Sequence, residues 1–133
     1  MNLVETALSK DIFLCAAESL TAGRVATQIT ETPGASKVFL GSVVSYSDSS
    51  KTGFLAVDPR ALDFSTAVSS EVAMAMAKSA RAEFSQKCEV DADKIVAVST
   101  TGVAGPDLVG PNPVGRVFIG LSSLLGDFSF EYH

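Results

Sequence analysis

A serine and a lysine, with no histidine near either, are the residues of this chain best suited to covalent chemistry. Ser19 lies in Glu18-Ser19-Leu20-Thr21-Ala22-Gly23, directly after an apolar run and before a helical pattern. A serine at such a turn sits beside the free N–H groups and partial positive charge of a helix start, which hold an oxyanion or a phosphate. The plainer alternative is that Ser19 or Thr21 serves only as an N-cap. A second segment, Ser45-Tyr46-Ser47-Asp48-Ser49-Ser50-Lys51, follows another apolar run and supplies Lys51 as a base. Lysine accepts a proton only when neutral. Bringing its pKa from ~10.4 toward ~7 takes about three units, roughly 4 kcal/mol, from desolvation or a neighbouring cation. Tyr46 is the candidate to relay a proton or to hold the lysine through its hydroxyl. A solvated surface lysine and a half-buried tyrosine are the alternative.

The third segment, Ser99-Thr100-Thr101-Gly102-Val103-Ala104-Gly105-Pro106, also follows a strand-like run. Gly102 and Gly105 let the backbone approach a ligand with its N–H groups turned inward as an anion nest. No Gly-Lys-Ser/Thr follows, so it is not a Walker A loop. The G-x-G-x-x-G spacing is absent and prolines forbid an immediate helix, which excludes a Rossmann fingerprint. An ordinary Gly/Pro loop is the competing reading. The single histidine, His133, is the last residue of the sequence. That excludes a cage of several histidines around a metal and disfavours a Ser-His-Asp triad, since termini fray.

These segments need elements to hold them. Asn2 followed by Glu5 has the pattern of a capping box, with Leu3, Val4, Ala7 and Leu8 on one helical face. Residues 12–17 form a continuous apolar run, as expected of a strand covered on both sides. Residues 20–30 change to a helical period that Thr32-Pro33-Gly34 stops. Residues 38–46 suit a strand broken by Gly41, and residues 47–63 suit a loop with one short helix and Pro59 as a breaker. The clearest helix is 69–87, with Val72, Ala73, Met76, Ala77, Ala80 and Phe84 as its core stripe. A strand over 95–99 leads into a Gly/Pro segment from Gly102 to Gly115. Strands over 117–122 and 128–132, joined through Leu125-Gly126-Asp127, close the chain as a hairpin. The expected fold is a three-layer α/β/α domain around a mixed sheet, with a site at the strand ends.

Composition narrows the function. The 133 residues suffice for one hydrophobic core, and 47% hydrophobic against 19% charged residues indicates a folded, soluble chain. The net charge of −5 repels phosphate backbones and anionic lipid, so neither nucleic acid nor membrane is an expected partner. Cys15 and Cys88 are read as a buried and a surface free thiol. No basic leader precedes a long apolar stretch and no run is long enough to span a bilayer, so the expected setting is cytoplasmic.

Together, Ala17-Glu18-Ser19-Leu20-Thr21-Ala22-Gly23, Pro33-Gly34-Ala35-Ser36, Phe39-Leu40-Gly41-Ser42-Val43-Val44-Ser45-Tyr46-Ser47, Lys51, Thr101-Gly102-Val103-Ala104-Gly105-Pro106 and Pro113-Val114-Gly115 occur in an order that resembles one family. It is the CinA C-terminal domain, of the competence/damage-inducible proteins, whose active members are nicotinamide mononucleotide deamidases. The resemblance implies hydrolysis of the nicotinamide mononucleotide carboxamide to nicotinic acid mononucleotide and ammonia. It implies Ser19 as nucleophile, Lys51 as base and Tyr46 as an assisting group, with no cofactor and no metal. Substrate contacts are expected from Thr21 and Gly23 at the helix start, from Gly41 and Ser42, and from Thr101, Gly102 and Gly105 in the Gly-rich loop. A catalytically silent nucleotide-binding or regulatory module of the same fold is the alternative.

The chain also departs from the family pattern. Ala22 stands where the family carries glycine, which is harmless if that residue is already helical. Asp48 stands where asparagine is common, adding a negative charge that would repel a phosphate if it faced the pocket. Arg116 stands where a small hydroxyl residue is typical. Family domains continue past the final strand into a loop and a last helix, so the expectation is one domain over 1–133 lacking that helix. An uncovered sheet face would follow, and with it a reason for homo-oligomer formation.

Overall fold

Asn2 opens the first helix as its spacing predicts. Its side chain accepts the Glu5 N–H at 2.9 Å while the Glu5 carboxylate accepts the Asn2 N–H at 3.1 Å, closing the capping box of α1 (Leu3–Lys10). The computed structural model describes residues 1–133, apart from the side chains of residues 64 and 65. After α1 come β1 (Phe13–Glu18), α2 (Arg24–Thr30), β2 (Phe39–Val44), α3 (Asp48–Leu55), α4 (Pro59–Ser65) and α5 (Ser70–Cys88). β3 (Ile95–Gly102), β4 (Val117–Ser123) and β5 (Gly126–Tyr132) complete the fold.

The five strands make one mixed sheet in the order β2-β1-β3-β4-β5. β1 pairs parallel with β2 and β3, and β4 pairs antiparallel with both β3 and β5. Alternation along β1 divides the core. Leu14 packs with Val4, Ala7 and Ile29 of α1 and α2. Cys15 and Ala17 point the other way and pack with Leu55, Leu62, Val72, Met76 and Ala80 of α3, α4 and α5. This is the three-layer α/β arrangement expected of the apolar run. Burial pushes the Cys15 thiol up to about 12, and both cysteines are free.

α5 lies close against the sheet because Gly120 has no side chain. A Cβ there would meet the Ala73 carbonyl oxygen at 2.2 Å, and the neighbouring Ser99 hydroxyl donates to that same oxygen at 2.5 Å. Among the described residues, the opposite face is covered by helix only as far as β3, where Val96 packs against the α1 and α2 cluster. On it lie the cross-strand pairs Val98–Leu121, Leu121–Phe128, Ile119–Phe130 and Val117–Tyr132. Phe128, Phe130 and Tyr132 are about half exposed there, at 46%, 47% and 54%. No helix among the described residues is long and apolar enough to cross a membrane.

The structure departs from the sequence expectation at four places. The second helix begins at Arg24 rather than at residue 20, because Ala22 (φ 48°) and Gly23 (φ 100°) are both left-handed. Ala22 is therefore outside the helix, and its methyl carries a steric cost that glycine would avoid. The 47–63 segment holds two helices instead of one. Ser47 caps α3 by accepting the Ser50 N–H, and Asp58 caps α4 by accepting the Arg60 N–H, so Pro59 starts a helix rather than breaking one. β3 extends through Thr100, Thr101 and Gly102, which pair with Ile119, Phe118 and Val117. The hairpin turns at Leu124-Leu125, ahead of the expected position, because Gly126 (φ 123°) already pairs with Ser123.

Candidate active site

The three parallel strands end side by side, and their C-terminal ends bring the sequence segments together. Ser19 follows β1 and donates its N–H to the Thr100 carbonyl of β3 at 3.1 Å. Across the other edge of β1, the Ser45 N–H donates to the Glu18 carbonyl at 2.8 Å. Lys51 comes from α3, whose Ser47 cap turns the helix back over this edge. Its Nζ lies 3.1 Å from Ser19 Oγ and donates to the Tyr46 carbonyl at 3.0 Å. Both side chains are shielded, Ser19 at 7% exposed and Lys51 at 1%.

No carboxylate among the described residues forms an ion pair with Lys51. Burial holds its ammonium below the ordinary lysine range, while the Asp48 carboxylate opposes that shift. A neutral Lys51 turns a lone pair toward Ser19 Oγ; a charged one can only donate to it. The pair thus has the geometry that a serine nucleophile and a lysine base require, within proton-transfer distance and without histidine.

Beside the pair opens a cavity of about 400 Å³, within the range of small-molecule sites. Ser19, Leu20, Thr101 and Gly102 line it from the sheet edge, and Tyr46, Asp48 and Lys51 from the α3 side. Ala67 and Val68 face them, and Val103, Ala104, Gly105 and Asp107 form the loop across the mouth. That loop is tied down by Asn112, which is buried and donates to the Val68 carbonyl at 3.0 Å. Thr101 donates its hydroxyl to the Ala67 carbonyl at 2.5 Å. Gly102 is required by packing, since a Cβ would lie 2.9 Å from both the Arg116 carbonyl oxygen and Leu20.

Of the residues singled out in the sequence, Ser19, Lys51, Tyr46, Thr101, Gly102 and Gly105 meet at this cavity. Thr21, Gly23, Gly41 and Ser42 do not line it. The Thr21 hydroxyl, the Gly23 N–H and the Ser42 hydroxyl all donate to the Glu18 carboxylate, at 2.7, 3.1 and 2.9 Å. Gly41 faces the Phe84 ring of α5, where a Cβ would come within 3.1 Å. The expected anion site at the start of α2 is occupied by the protein's own anion, since Val25 and Ala26 also donate their N–H groups to Glu18. Tyr46 differs in its means of contact: its carbonyl holds Lys51, while its side chain stands 68% exposed at the rim.

Glu18 was missed by reasoning from the sequence. It is fully buried, and burial pushes its carboxyl up. The hydrogen bonds from Thr21, Val25, Ala26 and Ser42 outweigh that and leave it below the ordinary carboxylate value. The available signal was a carboxylate ending an otherwise apolar strand, since a charge placed there must find several donors.

Comparison with known proteins agrees with this architecture. The profile of the CinA C-terminal domain matches residues 1–133. A Listeria innocua protein provisionally named as competence-damage inducible is 42% identical over 114 residues, covering 86% of this chain and 26% of the relative. A CinA-like protein of Geotalea uraniireducens is 44% identical over 114 residues, covering 85% of this chain and 25% of that one. The chain thus spans about a quarter of the length of the curated relatives it matches. Among solved structures, a CinA superfamily protein of Escherichia coli superposes with a TM-score of 0.87 at 25% identity, covering 98% of this chain and 72% of its own. The competence/damage inducible protein CihA of Agrobacterium tumefaciens superposes with a TM-score of 0.83 at 29% identity, covering 97% and 74%.

Proposed function

The chain belongs to the CinA C-terminal domain family, and on that premise we propose that it is an amidohydrolase converting nicotinamide mononucleotide and water to nicotinic acid mononucleotide and ammonia. The observation that carries this reading is the 3.1 Å contact between the buried Lys51 Nζ and Ser19 Oγ at the cavity wall. Neutral Lys51 takes the proton from Ser19 as Oγ bonds to the carboxamide carbon. The N–H groups of Leu20 and Thr21 make no hydrogen bond among the described residues, and they are the nearest donors in sequence for the oxyanion that forms.

Lys51 then returns its proton to the departing nitrogen, the C–N bond breaks and ammonia leaves, with the acyl group held as an ester on Ser19. A water molecule adds to that ester after losing a proton to Lys51. The bond to Oγ breaks, the proton returns to Ser19, and the carboxylate product is released. The Tyr46 carbonyl holds Nζ in place throughout. The Thr101–Gly105 stretch lines the part of the cavity available to the ribose and phosphate.

Ammonia release from nicotinamide mononucleotide by the purified chain is the test, and release above the protein-free background is expected. One observation favours the alternative of a silent binding or regulatory module. Asp48 lines the cavity and opposes the loss of charge that Lys51 needs. Calorimetric binding of the nucleotide with no ammonia formed would select that alternative.

A further inference from the structure

The Glu18 carboxylate accepts more donors than a seven-residue helix needs for its cap. Oε1 accepts from the Thr21 hydroxyl at 2.7 Å, the Gly23 N–H at 3.1 Å and the Val25 N–H at 2.9 Å. Oε2 accepts from the Ala26 N–H at 3.2 Å and the Ser42 hydroxyl at 2.9 Å. Thus one side chain joins β1, the Ser19 turn, α2 and β2.

The Thr21 hydroxyl has a single proton, and an ionised carboxylate can only accept it. In the 2.8 Å contact between the Thr21 and Thr100 hydroxyls, Thr100 is therefore the donor. The Thr100 oxygen in turn faces the Ser19 N–H at 3.4 Å, and the same N–H meets the Thr100 carbonyl at 3.1 Å. Proton donation thus runs in one direction, from the Ser19 N–H to Thr100, from Thr100 to Thr21, and from Thr21 to Glu18. Chains of this kind polarise one another and rigidify what they join.

We infer that Glu18 is a positioning residue for the Ser19–Lys51 chemistry, acting through Thr21 and Thr100 to hold the Ser19 turn where Oγ meets Lys51 Nζ. The inference rests on Ser19 being the nucleophile proposed above. It assigns Thr21 and Ser42 to support of the site rather than to substrate contact. It also gives the Val25 and Ala26 N–H groups of α2 an internal acceptor in place of a ligand, since the carboxylate already takes both.

The test reads nucleophile reactivity separately from substrate choice. Wild type, Glu18→Gln, Thr21→Val, Thr21→Ser and the Glu18→Gln/Thr21→Val double variant are each reacted with a fluorophosphonate probe. Ammonia kinetics and thermal unfolding are followed in parallel. Glu18→Gln and Thr21→Val are each expected to slow Ser19 labelling by about 10-fold or more, as displacement of a reacting group does. The same variants should lower kcat while KM stays within about threefold. Thr21→Ser keeps the hydroxyl and should restore labelling to within about threefold of wild type. The double variant should be no slower than the slower single one, because both break one chain.

Labelling rates per folded molecule that stay at the wild-type value while Tm falls would overturn the inference and leave Glu18 as a cap. Additive losses in the double variant would overturn the route through Thr21. A wild type that labels at Ser19 but releases no ammonia refutes the substrate reading alone, and the labelling series still decides the role of Glu18. A wild type that does not label at Ser19 removes the nucleophile and the inference together.

Discussion

Ala22 holds φ at 48° with a methyl group that favours other conformations. A left-handed conformation costs an L-residue roughly 1–2 kcal/mol, so Ala22→Gly should raise unfolding stability by about 1 kcal/mol, read by urea denaturation. An unchanged or lowered midpoint would contradict the strain. Asp48 acts on the site through charge. If Lys51 is the base, the rate of ammonia release rises as pH passes upward through the Lys51 pKa, because only the deprotonated form accepts the Ser19 proton. Burial lowers that pKa and Asp48 raises it, so Asp48→Asn should move the acid limb of the rate profile to lower pH. A limb that stays in place or moves upward would contradict the assignment. At this scale the meeting of Ser19 and Lys51 at one cavity was legible through the family resemblance, since the residues alone left an N-cap serine and a solvated lysine open. Glu18 and the Tyr46 carbonyl were not legible. What surrounds a carboxylate, and whether a tyrosine contributes its hydroxyl or its backbone, depends on which chain segments meet in space.

Among the elements, α5 positions more of the site than its sequence indicates. Its close approach at Gly120 places the residues before its N-terminus where Ala67 accepts the Thr101 hydroxyl and Val68 accepts Asn112. Gly120→Ala would push a Cβ into the Ala73 carbonyl, and overpacking of this kind typically costs about 1–3 kcal/mol. A lower thermal midpoint is expected, and a variant as stable as wild type would show that α5 can move away without consequence. The α5 stripe was legible because it repeats from Val72 to Phe84, over more than three turns of a helix. α3 and α4 were hidden because each is too short to repeat an apolar period, so the caps at Ser47 and Asp58 decide their existence. The extension of β3 through Thr100 and Thr101 was masked by the glycines that follow, although both β-branched residues suit a strand.

For the molecule as a whole, the alternation of helical and strand-like periods followed by a closing hairpin was enough to expect the three-layer fold. The coverage of each face was harder to read. α1 and α2 reach only as far as β3, while β4 and β5 present Ile119, Leu121, Phe128 and Phe130 on the same face beyond them. The charge of −5 remains the strongest whole-molecule guide to partners. Retention of duplex DNA is not expected at physiological ionic strength, and salt-sensitive binding in an electrophoretic mobility assay would contradict that. The step on which the proposed function rests is attack of Ser19, with Lys51 beside it, on the carboxamide of nicotinamide mononucleotide. It is tested most directly by the rate of ammonia release from wild type and Ser19→Ala measured side by side. The predicted result is release by wild type and a fall to the protein-free background in the variant; equal release by both, or none by wild type, would contradict it.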